Sequence, residues 1–152
     1  MSSSEWLIRP FEPGDQKAAR ELILDGLDGH FGWIAESRNP DIDDIAASYL
    51  ASGHVFIVAR IGACLVGTGA LISEGRETGR IVRVSVAREQ RRRGMGRALV
   101  EHLVETARHR GMTRIVVGTM KEWDDAIGLY RRCGFREYDR DEADVHLALK
   151  LR

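Results

Sequence analysis

Between His54 and Ala87 three β-rich runs follow one another: His54–Arg60, Ala63–Ser73 and Arg80–Ala87. Only a turn at Ile61-Gly62 and a polar loop at Glu74–Gly79 join them. Connections this short make hairpins, so this stretch is committed to an antiparallel sheet. The pattern then changes. Met95, Leu99, Val100, Leu103, Val104 and Ala107 recur at helical intervals up to Gly111, and Thr113–Thr119 (TRIVVGT) is a buried strand by composition. A strand, a helix and a further strand in that order give the sheet a mixed character.

The flanks extend the pattern. Trp6–Arg9 is a short strand closed by Pro10 and Pro13. Asp15–Leu27 reads as a helix, with Gly26 and Gly29 as stop signals, and Asp41–Ala51 as another, with a Gly29–Pro40 loop between them. A helix at Asp124–Cys133 ends at Gly134, and two strands close the chain at Phe135–Tyr138 and Asp144–Leu151. The last of these sets Val145, Leu147, Leu149 and Leu151 against His146, Ala148 and Lys150 in strict period two. The expected fold is one α/β (α+β) domain over residues 1–152, a length that suits a single core.

Lys plus Arg and Asp plus Glu both number 23, so no overall field draws the chain to nucleic acid or membrane. Any anion site must be local. Cys64 and Cys133 lack metal-ligand or disulfide spacing and read as small buried hydrophobes. The polar start MSSSEWLIRP has no signal-peptide core, and no apolar run nears the roughly 20 residues that span a bilayer. A cytoplasmic protein is the expectation.

The local site is suggested by EQRRRGMGRALVEHL, residues 89–103, where arginines and glycines sit between a strand and a helix. A helix N-terminus presents unpartnered N–H groups and the positive end of the macrodipole. Gly94 and Gly96 let a ligand approach those amides, and Arg91, Arg92, Arg93 and Arg97 add charge. Cations oppose the dipole at that end of a helix, so the arginines are unfavourable there unless an anion offsets them. Such a site suits a diphosphate without a metal ion. It lacks the Lys-Ser/Thr pair of a P-loop, and Leu99 replaces the third glycine of a dinucleotide fingerprint. The plainer alternative is a solvated basic helix start.

Arg91-x-x-Gly94-x-Gly96 resembles the acyl-CoA loop of the GNAT N-acetyltransferase superfamily. The preceding IVRVSVA and the later AIGLYRRCGF, residues 126–135, resemble that family's flanking elements at similar spacing. The resemblance implies a mixed, mostly antiparallel sheet of about seven strands and about four helices, splayed at the cofactor-binding strand. It implies that the backbone of Val84, Ser85 and Val86 pairs with pantetheine. It implies further that amides from Arg92 through Met95 to Arg97 hold the diphosphate of acetyl-CoA. Tyr130 falls on the family's helix tyrosine, whose phenol can protonate the departing thiolate. Read from the residues alone, Tyr130 is one more aromatic beside Ile127 and Leu129.

Two positions depart from the family pattern. Trp123 stands where an asparagine usually contacts pantetheine; an indole can pack there but has one donor and no acceptor. Gly118 stands where some members carry a glutamate base. A lysine amine near pKa 10.4 costs roughly 4.6 kcal/mol to deprotonate at neutral pH, an α-amino group near 8 about 1.4. Either another residue takes the proton, or the acceptor is a weak base. Glu36, Glu74, Glu77, Glu122, His30 and His54 are candidates, though surface roles suit each better, and Ser85 could order a water.

The resemblance implies acetyl transfer from acetyl-CoA to a primary amine, on a small molecule, a peptide N-terminus or a lysine. A non-catalytic acyl-CoA sensor of the same fold is the alternative, and a homodimer stays open. A nucleic-acid module would need a broad basic face, which the acidic runs at Asp41–Asp44 and Asp139–Asp144 deny. Gly29–Trp33, with Phe31, is an acceptor wall or core packing.

Overall fold

The structure, a computed structural model, describes residues 6–31 and 39–151. Seven strands form one sheet: β1 (Leu7–Pro10), β2 (Val55–Ile61), β3 (Cys64–Ser73), β4 (Thr78–Val86), β5 (Arg114–Met120), β6 (Arg136–Arg140) and β7 (Asp144–Lys150). Their order is β1-β2-β3-β4-β5-β7-β6, and only β4 and β5 are parallel. Among the described residues three α-helices accompany them: α1 (Gln16–Phe31), α2 (Met95–His109) and α3 (Asp124–Arg132). The expected mixed, mostly antiparallel α/β domain is what forms.

Period-two and 3.6-residue patterning divide the core into two layers. Leu99, Val100, Leu103 and Ala107 of α2 bury against Ile57, Ile81, Ile115, Val117 and Leu147 on one face of the sheet. Ala19, Ile23 and Leu24 of α1 bury against Phe56, Val58 and Ala70 on the other. The α1 layer also takes in Ile42, Ile45 and Tyr49 from the connection to β2.

Two expected helices change shape. α1 runs through Gly26 and Gly29 to Phe31. A glycine costs about 1 kcal/mol in a helix interior, and the apolar face laid on the sheet offsets it. Asp41–Ala51 is not one α-helix but a 3₁₀ turn, Pro40–Asp43, followed by a π-helical turn, Ala46–Leu50. Asp44 leaves the helical region between them (φ −148°, ψ 89°) and its side chain accepts the Ala47 N–H at 3.1 Å. Gln16 of α1 secures the break, donating to the carbonyls of Ile42 and Asp43 and accepting the Ile45 N–H. Cys64 is another correction: it is exposed at the β2–β3 hairpin, where no core reaches it. Cys133 is half-buried against the α2 layer, and burial pushes its thiol up.

The splay between β4 and β5 positions everything that follows. The two strands pair only from Thr78–Arg80 to Arg114–Val116, after which they part. On its other edge β4 carries a bulge: Ala70 faces Val82 and Thr68 faces Ser85, so Arg83 and Val84 oppose Gly69 alone. Arg83 takes φ +58°, and Thr68 donates its hydroxyl to the Arg83 carbonyl at 2.8 Å. A bulge bends its strand and raises the local twist, here just where β4 leaves β5.

Candidate functional site

The parting strands open a cleft of about 870 Å³ that reaches both faces of the sheet. The backbone of Val84, Ser85 and Val86 borders it on an edge that β5 does not pair. The two valine side chains pack on the α2 layer, so core and cleft roles coexist at these positions. The Ser85 hydroxyl points toward α1, where a Cβ on Gly26 would lie 3.9 Å away. Buried beside the cleft, the Thr119 hydroxyl has no hydrogen-bond partner among the described residues. An unpaired buried hydroxyl is costly, and a polar ligand in the cleft would relieve it.

At one mouth stands the start of α2. Its N-cap is Gly94, in the left-handed region (φ 89°, ψ 3°), with no side-chain cap. A serine or aspartate there would satisfy the first-turn amides; glycine leaves them open. No acidic residue occupies the first turn of α2, whereas α3 begins with Asp124 and Asp125. Of the two, only α2 has a terminus suited to an anion. Gly96 lies against Leu129 and Val86, so the loop meets both α3 and the free edge of β4. Arg91 lines the cleft and donates its Nε–H to the Val86 carbonyl at 3.1 Å. Arg92 and Arg93 are exposed, and Arg97 pairs loosely with Glu101 at 3.3 Å. Met95 is buried, so only its backbone can serve a ligand.

Tyr130 reaches the cleft from α3, its ring edge-to-face with Phe135 at 5.5 Å. It is 6% exposed, and burial pushes its phenol well above the usual value, so the proton stays on at neutral pH. Trp123, at the N-cap of α3, is half-buried and lines the same cleft.

The family model described as Acetyltransferase (GNAT) family matches residues 5–135. The chain belongs to the GNAT acetyltransferase family. N-acetyltransferase family 8 member 2 of Rattus norvegicus is 33% identical over 110 residues, 69% of this chain and 49% of that protein. The chain thus spans about half the length of the curated relatives of this kind. A GNAT-family acetyltransferase of Staphylococcus aureus Mu50 superposes with a TM-score of 0.88 at 23% identity, covering 97% of this chain and 99% of that one. The PaiA N-acetyltransferase of Thermoplasma acidophilum, solved in complex with coenzyme A, gives 0.85 at 16% identity over 99% of each chain. At these identities the likeness is one of fold.

The surroundings of the cleft in this GNAT domain sort the candidate bases. His54 lines the cleft, but its Nδ1 accepts the Ser73 N–H at 3.1 Å, which leaves Nε2 as a donor. Glu74 is paired with Arg80 at 2.7 Å. Glu77 and Glu122 are exposed and do not line the cleft. Glu36 and residues 32–33 of the Gly29–Trp33 wall lie outside the described residues, as do the side chains of His30 and Phe31; Gly29–Phe31 end α1. Asp41 and Arg83 form a second polar wall at 2.7 Å, and Tyr49 donates to Asp41 at 2.5 Å. Burial pushes the Asp41 carboxyl up, but the hydrogen bonds from Arg83 and Tyr49 outweigh it and hold it below the usual range.

Sequence reasoning singled out neither Thr119 nor His146. His146 is paired opposite Gly118 on β7, and its ring lies beside the space a Gly118 side chain would fill. Period-two alternation places His146 on the face away from α2, but its partner across the sheet depends on register. Asp141, Asp144 and His146 bring possible ligand atoms within 4.8 Å of one another. The hydrogen bond of 2.9 Å between His146 Nε2 and Asp141 Oδ2 accounts for that closeness. No helix among the described residues is long and apolar enough to cross a membrane.

Proposed function

We propose that the protein transfers the acetyl group of acetyl-CoA to a primary amine by direct attack in a ternary complex. The observation that carries this reading is the splay of β4 from β5 with the uncapped N-terminus of α2 at its mouth. A diphosphate at that terminus would be held by amides from Arg92 to Arg97, with the arginines adding charge at the rim. The pantetheine arm would run along the free edge of Val84–Val86, against Trp123. No metal is needed in this scheme. The complex of the Thermoplasma PaiA protein with coenzyme A supports a CoA ligand in a fold of this shape.

The acetyl carbon would then lie in the cleft near Tyr130, with an amine entering from the α1 face. Aminolysis expels a thiolate, and a buried phenol that keeps its proton can supply it to sulfur. The test is a screen of polyamines, amino acids, aminoglycosides and peptide N-termini for acetyl-CoA-dependent acetylation. Turnover with any amine supports the transferase. Tight CoA binding with no turnover would instead support a sensor, the reading that the departures at Trp123 and Gly118 favour.

A further inference from the structure

We propose that His146 is the general base that takes the proton from the acceptor amine, with Asp141 fixing its tautomer and Gly118 making room for it. The inference rests on the transferase reading above and assigns a group on the acceptor side of the same cleft.

The tautomer follows from the partners. Asp141 Oδ1 accepts the N–H groups of Ala143 at 2.9 Å and Asp144 at 2.7 Å, while Oδ2 faces His146 Nε2 at 2.9 Å. These bonds, led by the one from His146, hold the carboxyl down to about 2, so at neutral pH it only accepts. Nε2 is therefore the protonated nitrogen, and in the neutral ring Nδ1 keeps its lone pair. His54 shows the opposite arrangement, its Nδ1 committed to a backbone amide.

His146 Nδ1, which has no hydrogen-bond partner among the described residues, lies beside the space that Gly118 leaves open. A Cβ built on Gly118 would lie 3.4 Å from Nδ1 and 3.6 Å from Cε1 of His146, with Arg80 Nη1 at 3.8 Å. A side chain at 118 would crowd the ring; glycine leaves that space open beside Nδ1, and both residues line the cleft together with Tyr130 and Ser85. The charged and titratable groups around the ring come from four strands and loops. They are Asp141 and Asp144 beside it, Arg80 of β4 with its partner Glu74, Asp139 of β6, which is paired opposite His146, and Tyr138 of β6, 6.3 Å away between ring centres. Arg114 of β5 lies over the Tyr138 ring at 4.7 Å.

The protons balance. The acceptor ammonium gives one proton to His146 Nδ1, forming imidazolium and a free amine. The amine lone pair forms the C–N bond as the C–S bond breaks, and sulfur takes the Tyr130 proton. The nitrogen's second surplus proton returns to the Tyr130 oxygen through water, and His146 passes its own proton to solvent.

The test uses the full chain and an acceptor from the screen, comparing wild type, His146→Gln and Asp141→Asn. In His146→Gln, kcat/KM at neutral pH should fall about 10²–10⁴-fold. The acid limb that a histidine base gives the wild-type pH profile should disappear. CoA affinity should stay within about twofold, and activity should return at alkaline pH, where the acceptor ammonium loses its proton unaided. Asp141→Asn should keep the ring but displace the limb. A variant with an unchanged limb and near-wild-type kcat/KM overturns His146 and leaves the transferase reading standing. A wild type that acetylates nothing overturns both. A ¹H–¹⁵N spectrum of the imidazoles gives a second check: a neutral His146 protonated at Nδ1 overturns the proposal without any activity measurement.

Discussion

Replacing Gly94 by asparagine and by aspartate isolates the charge at the start of α2. A Cβ at Gly94 meets nothing within 4 Å, so neither side chain clashes. The cost is confined to the backbone at φ 89° and comes to about 1 kcal/mol of stability, paid equally by both, since Asn and Asp tolerate the left-handed region alike. The two variants then differ by one negative charge beside the proposed diphosphate. At about 7 Å, two phosphate charges repel a carboxylate by about 1 kcal/mol in water and about 5 kcal/mol at an effective dielectric of 20. The site is exposed, flanked by arginines and screened, which brings the expected penalty to about 1–3 kcal/mol. Calorimetric titration with CoA at low salt should therefore give a Kd about 5–150-fold weaker for Gly94→Asp than for Gly94→Asn. The gap should narrow as salt rises, since the charge is exposed. Equal Kd values at low salt, with both variants folded by circular dichroism, would refute the diphosphate assignment.

Three further outcomes are expected. Tyr130→Phe keeps the packing on Phe135 and removes the proton donor, so kcat should fall about 10²–10⁴-fold with CoA affinity nearly constant; near-wild-type kcat where chemistry limits the rate would return Tyr130 to the core. Asp15 is buried between Arg9 at 2.8 Å and Arg60 at 3.0 Å. Burial pushes its carboxyl up, but these partners outweigh that and hold it below its unfolded value, so its stabilisation is present above about pH 4 and lost as pH falls through the depressed folded value. Asp15→Asn should cost about 2–3 kcal/mol at neutral pH, under the range for fully buried pairs because both guanidiniums stay partly exposed, and chemical denaturation across pH 7 to about 3 should show a weaker acid loss than wild type. Finally, a Cβ on Gly67 would meet Leu99 Cδ1 at 3.0 Å and both Ala59 Cβ and Met95 Sδ at 3.1 Å, so Gly67→Ala should destabilise by about 1–3 kcal/mol in a denaturant titration.

Local signals reached a long way in this chain. Short connections announce the β2–β3–β4 meander, helical periodicity announces α2 and α3, and the run from Arg91 to Gly96 marks the α2 start. Each depends on interactions between residues close in sequence. The misread segments depended on distant partners. Nothing local could show that Gln16 would hold the broken turn at Ile42–Ile45, or that packing on the sheet would carry α1 past Gly26. Cys64 is exposed because it falls on a hairpin end, which composition does not record.

The site divides in the same way. The sequence by itself determined the glycine-rich start of α2 and the helix carrying Tyr130, because a loop motif and an amphipathic helix are contiguous. Only the tertiary structure decided which groups line the far side of the cleft. The parting of β4 and β5 after Arg80–Val116, the register of Gly118 against His146 and the Asp141–His146 hydrogen bond are all cross-strand relations. A strand's own pattern fixes which face a side chain takes, but register sets its neighbour, and a one-residue slip would have given His146 another.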